Sequence, residues 1–284
     1  MTISIAPAPL AVKSPAEKAP VRKNRLGSWL IFLVAALYFL IPLAATFYWS
    51  LRGEKDVLGF EAYRKLFADT NFLPAFSQSI INAVATIILS LLIVVPTAYW
   101  VTLRLPKVRP VVEFITLLPF VIPAIVLVFG IISLYSRPPL LFTATYNSSR
   151  VVLICVYVAL SFPYMFRAVD NGLRAIDVRT LTEAAQSLGA NWITILFKVI
   201  FPNLRVALLS GALLTFAIVI GEFTIALYMA QHTLGPYMAS LVESKVYEPF
   251  AMAIVAFAIT WAAMGIIDFV GRGASKHAQM ADAD

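Results

Sequence analysis

Six long runs of apolar residues dominate this sequence and limit the folds that it can adopt. A helix that crosses about 30 Å of hydrocarbon needs roughly 20 residues, because each residue adds about 1.5 Å. Barrel strands would be about 10 residues long and would alternate polar with apolar side chains. The runs that are long enough for helices cover approximately residues 29–51, 80–103, 111–135, 151–169, 204–229 and 250–270. We therefore predict an all-α membrane protein with six transmembrane helices.

Composition agrees with this class. Apolar residues make up 61% of the chain and charged residues 13%, whereas soluble domains have about 45–50% and about 25%. The net charge of +7 does not indicate nucleic-acid binding, because Lys and Arg in a membrane chain report its orientation. The single cysteine, Cys155, excludes an intrachain disulfide, and we expect it to be a small buried residue.

Basic residues are distributed unevenly between the two sides of the six predicted helices. One side contains both termini and the even-numbered connections, and it carries 15 of the 22 Lys and Arg residues. An excess of basic residues marks the cytoplasmic side, so we predict that both termini are cytoplasmic. Residues 1–28 are rich in Ala, Pro and Lys and are predicted to be a disordered tail. Residues 29–272 would form one transmembrane domain, followed by a second cytoplasmic tail at 273–284.

The connection between the fourth and fifth predicted helices, residues 171–203, has clear helix signals. The sequence Thr180-Leu181-Thr182-Glu183 has the form of a capping box, which starts a helix. Gly189 suits a left-handed helix end, and Asn191 can cap a second helix. That second helix is predicted to end before Pro202. We therefore predict two short helices that meet at a sharp corner.

This connection also carries the motif by which the chain resembles the permease subunits of ABC importers. The matching residues are Glu183-Ala184-Ala185, Gly189 and the ending Val199-Ile200-Phe201-Pro202, with Phe201 where many members have leucine. The resemblance extends over approximately residues 30–272. It implies a coupling loop in which the helix near Glu183 docks into an ATP-hydrolysing subunit, and small Ala184 and Ala185 would let that subunit approach closely. The coupling residues implied are Thr180, Thr182, Glu183, Ala184, Ala185, Leu188, Gly189, Ala190 and Pro202.

The resemblance also implies a set of partners. They are two copies of an ABC ATPase, a second permease that is related or identical, an extracytoplasmic solute-binding protein and the lipid bilayer of a bacterial inner membrane. The sequence lacks a Gly-x-x-x-x-Gly-Lys-Ser/Thr loop and an acidic cluster for magnesium, so ATP and Mg would bind to the ATPase and no cofactor to this chain. It also lacks a nucleophile elbow and a His-Glu-x-x-His motif. We expect a transport subunit rather than an enzyme.

The cargo is indicated only by finer resemblances. Leu188-Gly189-Ala190 resembles the form in polyamine, iron, sulfate, molybdate and phosphonate importers, whereas many sugar importers have Asp-Gly-Ala there. Gly221-Glu222-Phe223 and Leu234-Gly235-Pro236 resemble the spermidine and putrescine permeases. This implies a small polar or cationic cargo such as a polyamine, with iron, phosphonate or another small anion as alternatives and a sugar less expected. An ATP-independent secondary transporter or channel is the alternative class of function.

Three residues within the apolar runs are candidates for the translocation pathway. Glu222 falls inside the fifth run, where an ionised carboxylate costs at least several kcal/mol unless it is paired, hydrated or protonated. It either lines the pathway, attracting cationic cargo or gating the pore, or forms a structural hydrogen bond across helices, for example to Thr215, to Thr224 or to the partner permease. Pro119 and Pro123 interrupt the third run and either shape a pathway or simply kink packed helices.

Overall fold

The computed structural model describes residues 25–53 and 57–281. Most of the predicted tail at 1–28 and the last three residues lie outside the described residues. The described residues divide into two units, one that ends at Ala45 and one that begins at Thr46. Between residues 25–53 and 57–281 the fold is helical, and the sole strand-like feature described there is one isolated antiparallel bridge between Arg52 and Leu58.

The helices follow one another with short connections. The described α-helices are α1 Arg25–Ser50, α2 Glu61–Ala68, α3 Phe72–Leu103, α4 Arg109–Val121, α5 Ala124–Tyr135, α6 Tyr146–Ala175, α7 Val178–Ser187, α8 Trp192–Thr194, α9 Phe201–Asn203, α10 Arg205–Gly221, α11 Thr224–Tyr228, α12 Leu234–Ser244 and α13 Glu248–Ala281. A 3-10 turn, Pro106–Val108, precedes α4, and a π-helical stretch, Ile195–Ile200, joins α8 to α9.

Four of these helices contain segments that are long and apolar enough to cross a membrane on their own. They are Trp29–Ser50, Phe72–Leu103, Tyr146–Ala175 and Glu248–Ile266. Two bent pairs bring the total to six if each is one span: Pro106–Val121 with Ala124–Tyr135, and Trp192–Asn203 with Arg205–Gly221. The prediction of an all-helical membrane protein is confirmed, with four to six spans in the described chain.

The third predicted span is not one continuous helix. It bends by 98° between α4 and α5. Pro123 lies at the bend in an extended conformation, with φ −58° and ψ 136°, and Ile122 before it is also extended. Proline has no amide hydrogen and disfavours a helical conformation in the preceding residue. Pro119, in contrast, remains inside α4.

The fifth predicted span, residues 204–229, is also interrupted. Helix α10 ends at Gly221, Glu222 is extended with φ −76° and ψ 131°, and α11 begins at Thr224. The Glu222 carboxylate accepts hydrogen bonds from the backbone amides of Ile225 and Ala226, at 2.7 and 3.1 Å. A side chain that caps amides in this way starts a new helix. The prediction of one continuous helix here was wrong.

Helices α3, α6 and α10 pack against one another. One buried cluster extends from this centre into the connection after α6 and includes Tyr99, Leu173, Val178, Ala185 and Ile200. The helices of that connection are therefore packed directly onto the spanning helices.

The prediction of a buried Cys155 was wrong, because its side chain is exposed. Leu153, Val156 and Tyr157 occupy the buried face of α6, and Cys155 lies off that face. Lipid tails are as apolar as leucine, so a small apolar side chain can face the bilayer without loss.

Candidate functional site

Helix α7 begins one turn earlier than the sequence motif suggested. Its N-cap is Asp177, whose carboxylate accepts from the Thr180 backbone amide at 3.1 Å and from the Thr180 hydroxyl at 2.7 Å. Thr180 and Glu183 therefore lie inside the helix, and the predicted capping box was wrong. The Asp177 cap already satisfies the amide of the third helical residue. Glu183 instead accepts from the Arg179 guanidinium at 2.8 Å.

Two groups at the start of α7 have shifted pKa values. The two hydrogen bonds from Thr180 hold the pKa of the Asp177 carboxyl below its usual value. The hydrogen bond and the negative charge of Glu183 raise the pKa of Arg179. Both shifts favour the charged forms of Asp177 and Arg179.

The two faces of α7 differ sharply. Glu183 and Ala184 are exposed, whereas Thr182 and Ala185 are buried, at 7% and 9% exposure. The Thr182 hydroxyl lies 3.2 Å from the hydroxyl of Tyr99 on α3. The prediction that both alanines admit a partner is therefore corrected for Ala185, because successive helical residues point about 100° apart and Ala185 packs against the core.

The corner after α7 has the geometry predicted for Gly189. Its φ is +79°, in the left-handed region that glycine adopts at little cost. The Gly189 amide donates to the Gln186 carbonyl at 2.9 Å, and the Ala190 amide to the Ala185 carbonyl at 3.0 Å. This pair of bonds is the Schellman arrangement that closes a helix end. Leu188, immediately before the glycine, is 89% exposed.

The second helical limb starts as predicted and ends later. The Asn191 side chain accepts from the Thr194 amide at 2.8 Å and caps α8. The predicted end before Pro202 was wrong, because the helix passes through the π-helical stretch and continues to Asn203. Pro202 therefore lies near the end of a continuous helical segment, just after the π-helical stretch.

A polar groove of about 640 Å³ lies between the end of α3 and the exposed side of α7. Charged groups of both signs line it, among them Arg104, Asp177, Arg179 and Glu183.

Glu222 is hydrogen-bonded across helices. Besides the two amides that it caps, its carboxylate accepts from the hydroxyl of Tyr157 on α6 at 2.9 Å. The alternative of a structural hydrogen bond is supported, but through Tyr157 and not through Thr215 or Thr224. Sequence reasoning missed Tyr157, although a tyrosine within the apolar fourth run was a visible signal.

Two further polar clusters were not predicted. Arg109 donates to Asp170 across α4 and α6 at 2.6 Å, and Arg174 donates to the same oxygen at 3.0 Å. The second cluster contains Gln78, which accepts from Tyr146 at 2.8 Å and donates to Gln231 at 3.1 Å. Gln78 also borders a cavity of about 670 Å³. The Arg109–Asp170 pair and the contacts of Gln78 join residues that are distant in sequence, so their pairing has no local signal, whereas Asp170 and Arg174 are four residues apart on α6.

Metal binding has no support in the described residues. Within 25–53 and 57–281, no three His, Cys, Asp or Glu side chains are grouped so that they could hold a metal ion.

Comparison with solved structures gives the same fold. A bacterial ABC transporter involved in the import of the acidic polysaccharide alginate matches with a TM-score of 0.65 and 15% identity, over 89% of this chain and 98% of that chain. The alginate ABC transporter in complex with an alginate pentasaccharide-bound periplasmic protein matches with a TM-score of 0.64 and 14% identity, over 87% and 92%.

Sequence comparison identifies relatives with several cargoes. A spermidine/putrescine transport system permease protein of Haemophilus influenzae is 28% identical over 70% of this chain and 73% of its own. A molybdate/tungstate permease of Pyrococcus abyssi is 28% identical over 73% and 76%. A putative 2-aminoethylphosphonate permease of Salmonella typhimurium is 30% identical over 76% and 79%. Residues 94–274 match the model of the family described as binding-protein-dependent transport system inner membrane component. The chain therefore belongs to this family of ABC importer permeases.

Proposed function

We propose that this chain forms part of the translocation pathway of an ABC importer for a small polar or cationic solute, such as a polyamine. A binding protein would deliver the solute, two ABC ATPase subunits would drive its import, and a second permease would complete the pathway. The family membership and the spermidine/putrescine relative support this proposal. The molybdate and phosphonate relatives keep anionic cargo open as alternatives.

The exposed corner at Leu188 and Gly189 is the observation on which the proposal mainly depends. Leu188 is 89% exposed at the tip of an otherwise polar helix end. A large apolar side chain so fully exposed, with exposed Glu183 and Ala184 beside it, is a natural contact for a partner protein. The contact we propose is the ATPase.

The opposite side of this corner connects it to the spanning helices. Ala185 belongs to the same buried cluster as Tyr99 on α3 and Leu173 on α6. Closely packed interiors transmit displacement because they have little free volume. A push on Leu188 would therefore move α3 and α6 and reorient the pathway between its two access states.

The pathway itself would involve the two interrupted spans. The bend at Pro123 and the break at Glu222 place non-helical backbone within apolar segments. Such backbone is tolerated in membranes where it is packed in protein or lines a water-filled cavity. We propose Pro119 and Pro123 as residues that shape the pathway, and Glu222 as the group that holds the second break in place.

The test is to remove the exposed side chain at the corner by Leu188→Ser. Burial of a leucine contributes about 1.5–3 kcal/mol, so we expect the ATPase subunit to bind roughly ten- to a hundredfold more weakly. Cargo-stimulated ATP hydrolysis in proteoliposomes should fall accordingly. Leu141→Ser is the matched control, because Leu141 is also exposed, at 50%, and lies on the connection between α5 and α6. Unchanged coupling in Leu188→Ser, or cargo uptake driven by a proton gradient without an ATPase, would contradict the proposal.

A further inference from the structure

The segment Trp192–Asn203 has an uncovered apolar side. Trp192, Ile193 and Phe197 are 52%, 49% and 49% exposed. Ile193 and Phe197 are four residues apart, so they share one side of the helix. The Phe197 ring stacks on the Phe201 ring at 5.2 Å. This side of the segment is therefore a continuous apolar strip that the rest of the described chain does not cover.

The orientation of the segment places this strip at the edge of the hydrocarbon. The segment is bent by 79° from α10, so it lies nearly parallel to the membrane plane if α10 crosses the membrane. The Trp192 ring packs edge-on against the Trp100 ring at 6.4 Å. Trp100 belongs to the spanning helix α3 and lies one turn before its end. Tryptophan rings are enriched at this boundary between hydrocarbon and headgroups.

Basic residues surround the aromatic side chains. The Arg104 guanidinium lies over the Trp100 ring at 5.7 Å, and Lys198 and Arg205 are exposed. Residues 100–110 and 192–205 contain five basic residues and no Asp or Glu. Arg109 is already paired with Glu113 and Asp170, which leaves Arg104, Lys107, Lys198 and Arg205. Guanidinium and ammonium groups at a membrane boundary attract the phosphates of anionic lipids.

We propose that Trp100, Arg104, Trp192, Ile193, Phe197 and Lys198 form a lipid-binding face that holds anionic phospholipid at the membrane boundary. The occupant is lipid because Trp100 lies in the last turn of a spanning helix and its contact with Trp192 holds that ring at the membrane boundary, whereas an ATPase sits in the water layer. The proposal goes beyond a transport role. It assigns the bilayer a specific contact with the helix that follows the Gly189 corner.

The experiment uses the fluorescence of Trp192 in the full chain, reconstituted in nanodiscs without ATPase or cargo. Trp29, Trp49, Trp100 and Trp261 are replaced by phenylalanine, which at position 100 keeps an aromatic ring against Trp192 and Arg104. The nanodiscs contain equal amounts of phosphatidylcholine and phosphatidylglycerol, with bromine on the acyl chains of one or the other. We expect stronger quenching by brominated phosphatidylglycerol. One basic residue near the surface changes the binding of anionic lipid about fivefold. Arg104→Gln should therefore lower the ratio of quenching by brominated phosphatidylglycerol to quenching by brominated phosphatidylcholine by about that factor. Arg104→Lys should leave this ratio unchanged.

A variant with Trp261 as the sole tryptophan is the reference, since Trp261 is 65% exposed on α13. Quenching of Trp261 without quenching of Trp192 would overturn the proposal. Equal quenching of Trp192 by both lipids would overturn it as well, because the face would then be unselective. Loss of Trp192 quenching when the ATPase subunit is added would assign the face to that subunit instead. None of these results depends on transport activity, so they are separate from the test of the proposed function.

Discussion

The hydrogen bonds of Glu222 allow a quantitative test of its role. Its carboxylate accepts from the Ile225 and Ala226 amides and from the Tyr157 hydroxyl, and both Ile225 and Ala226 are 0% exposed. A buried donor that loses its acceptor costs about 1–3 kcal/mol. Glu222→Ala removes the acceptor of two buried amides and should therefore lower the free energy of unfolding by roughly 2–6 kcal/mol.

Two milder variants separate the contributions. Tyr157→Phe deletes one hydrogen bond to a charged group and should cost about 1.5–3 kcal/mol. Glu222→Gln keeps one acceptor oxygen but directs an amide donor toward groups that are themselves donors. We therefore expect it to lower the free energy of unfolding by about 1–3 kcal/mol. The double variant should cost less than the sum of the two, because both changes remove the same contact.

The assay is equilibrium unfolding in bicelles for the three single variants, the double variant Tyr157→Phe/Glu222→Gln and the unmodified chain. Thr215→Val is the control: the Thr215 hydroxyl is fully buried and has no hydrogen-bond partner among the described residues, so its loss should cost little. An interaction energy near zero between positions 157 and 222 would refute the structural role. Reduced cargo uptake by Glu222→Gln at unchanged stability would instead support the pathway alternative, whereas unchanged uptake at saturating and limiting cargo would remove it.

Three further predictions concern the side of the fold that carries α7. Gly189→Val places a β-branched residue at φ +79°, where its side chain is strained. We expect faster hydrogen exchange of the amides at the corner and less cargo-stimulated ATP hydrolysis. Gly189→Asn should change both quantities less, because asparagine tolerates a positive φ better. Arg109→Gln leaves Asp170 with one basic partner and should lower the free energy of unfolding by about 1–3 kcal/mol, measured in the same bicelles. Because the folded-state pKa of Asp177 is lowered, its cap stabilises α7 above the unfolded-state pKa, roughly 4. That stabilisation is lost as the pH falls through the folded-state pKa of Asp177. Hydrogen exchange of the Thr180 amide should then become faster than its intrinsic pH dependence alone predicts. In Asp177→Asn this additional acceleration at low pH should be smaller.

The outline of the fold follows from local properties of the sequence. Long apolar runs indicate α3, α6 and α13 because a helix must be about 20 residues long to cross hydrocarbon. Gly189 and Asn191 act where they were predicted to act, because a positive φ and a helix cap depend on only a few neighbouring residues.

The errors arise where tertiary contacts choose between local options. Asp177 and Thr180 are both good caps, and the earlier start at Asp177 is accompanied by burial of Val178 in the core. Hydropathy marks Glu222 as a charged residue in an apolar run but does not reveal the break, which depends on a carboxylate that accepts from the first amides of α11 and from Tyr157 on another helix. The burial of Ala185 likewise depends on packing against distant helices.

The bend at Pro123 has a consequence for the hydration of the bilayer interior. Pro119 and Pro123 supply no amide hydrogens, so the carbonyls of Ile115 and Pro119, four residues earlier, lack their usual helical donors. In hydrocarbon, each such carbonyl would cost several kcal/mol. The side of the bend that carries these carbonyls must therefore contact water or polar groups of the protein and cannot face the lipid chains.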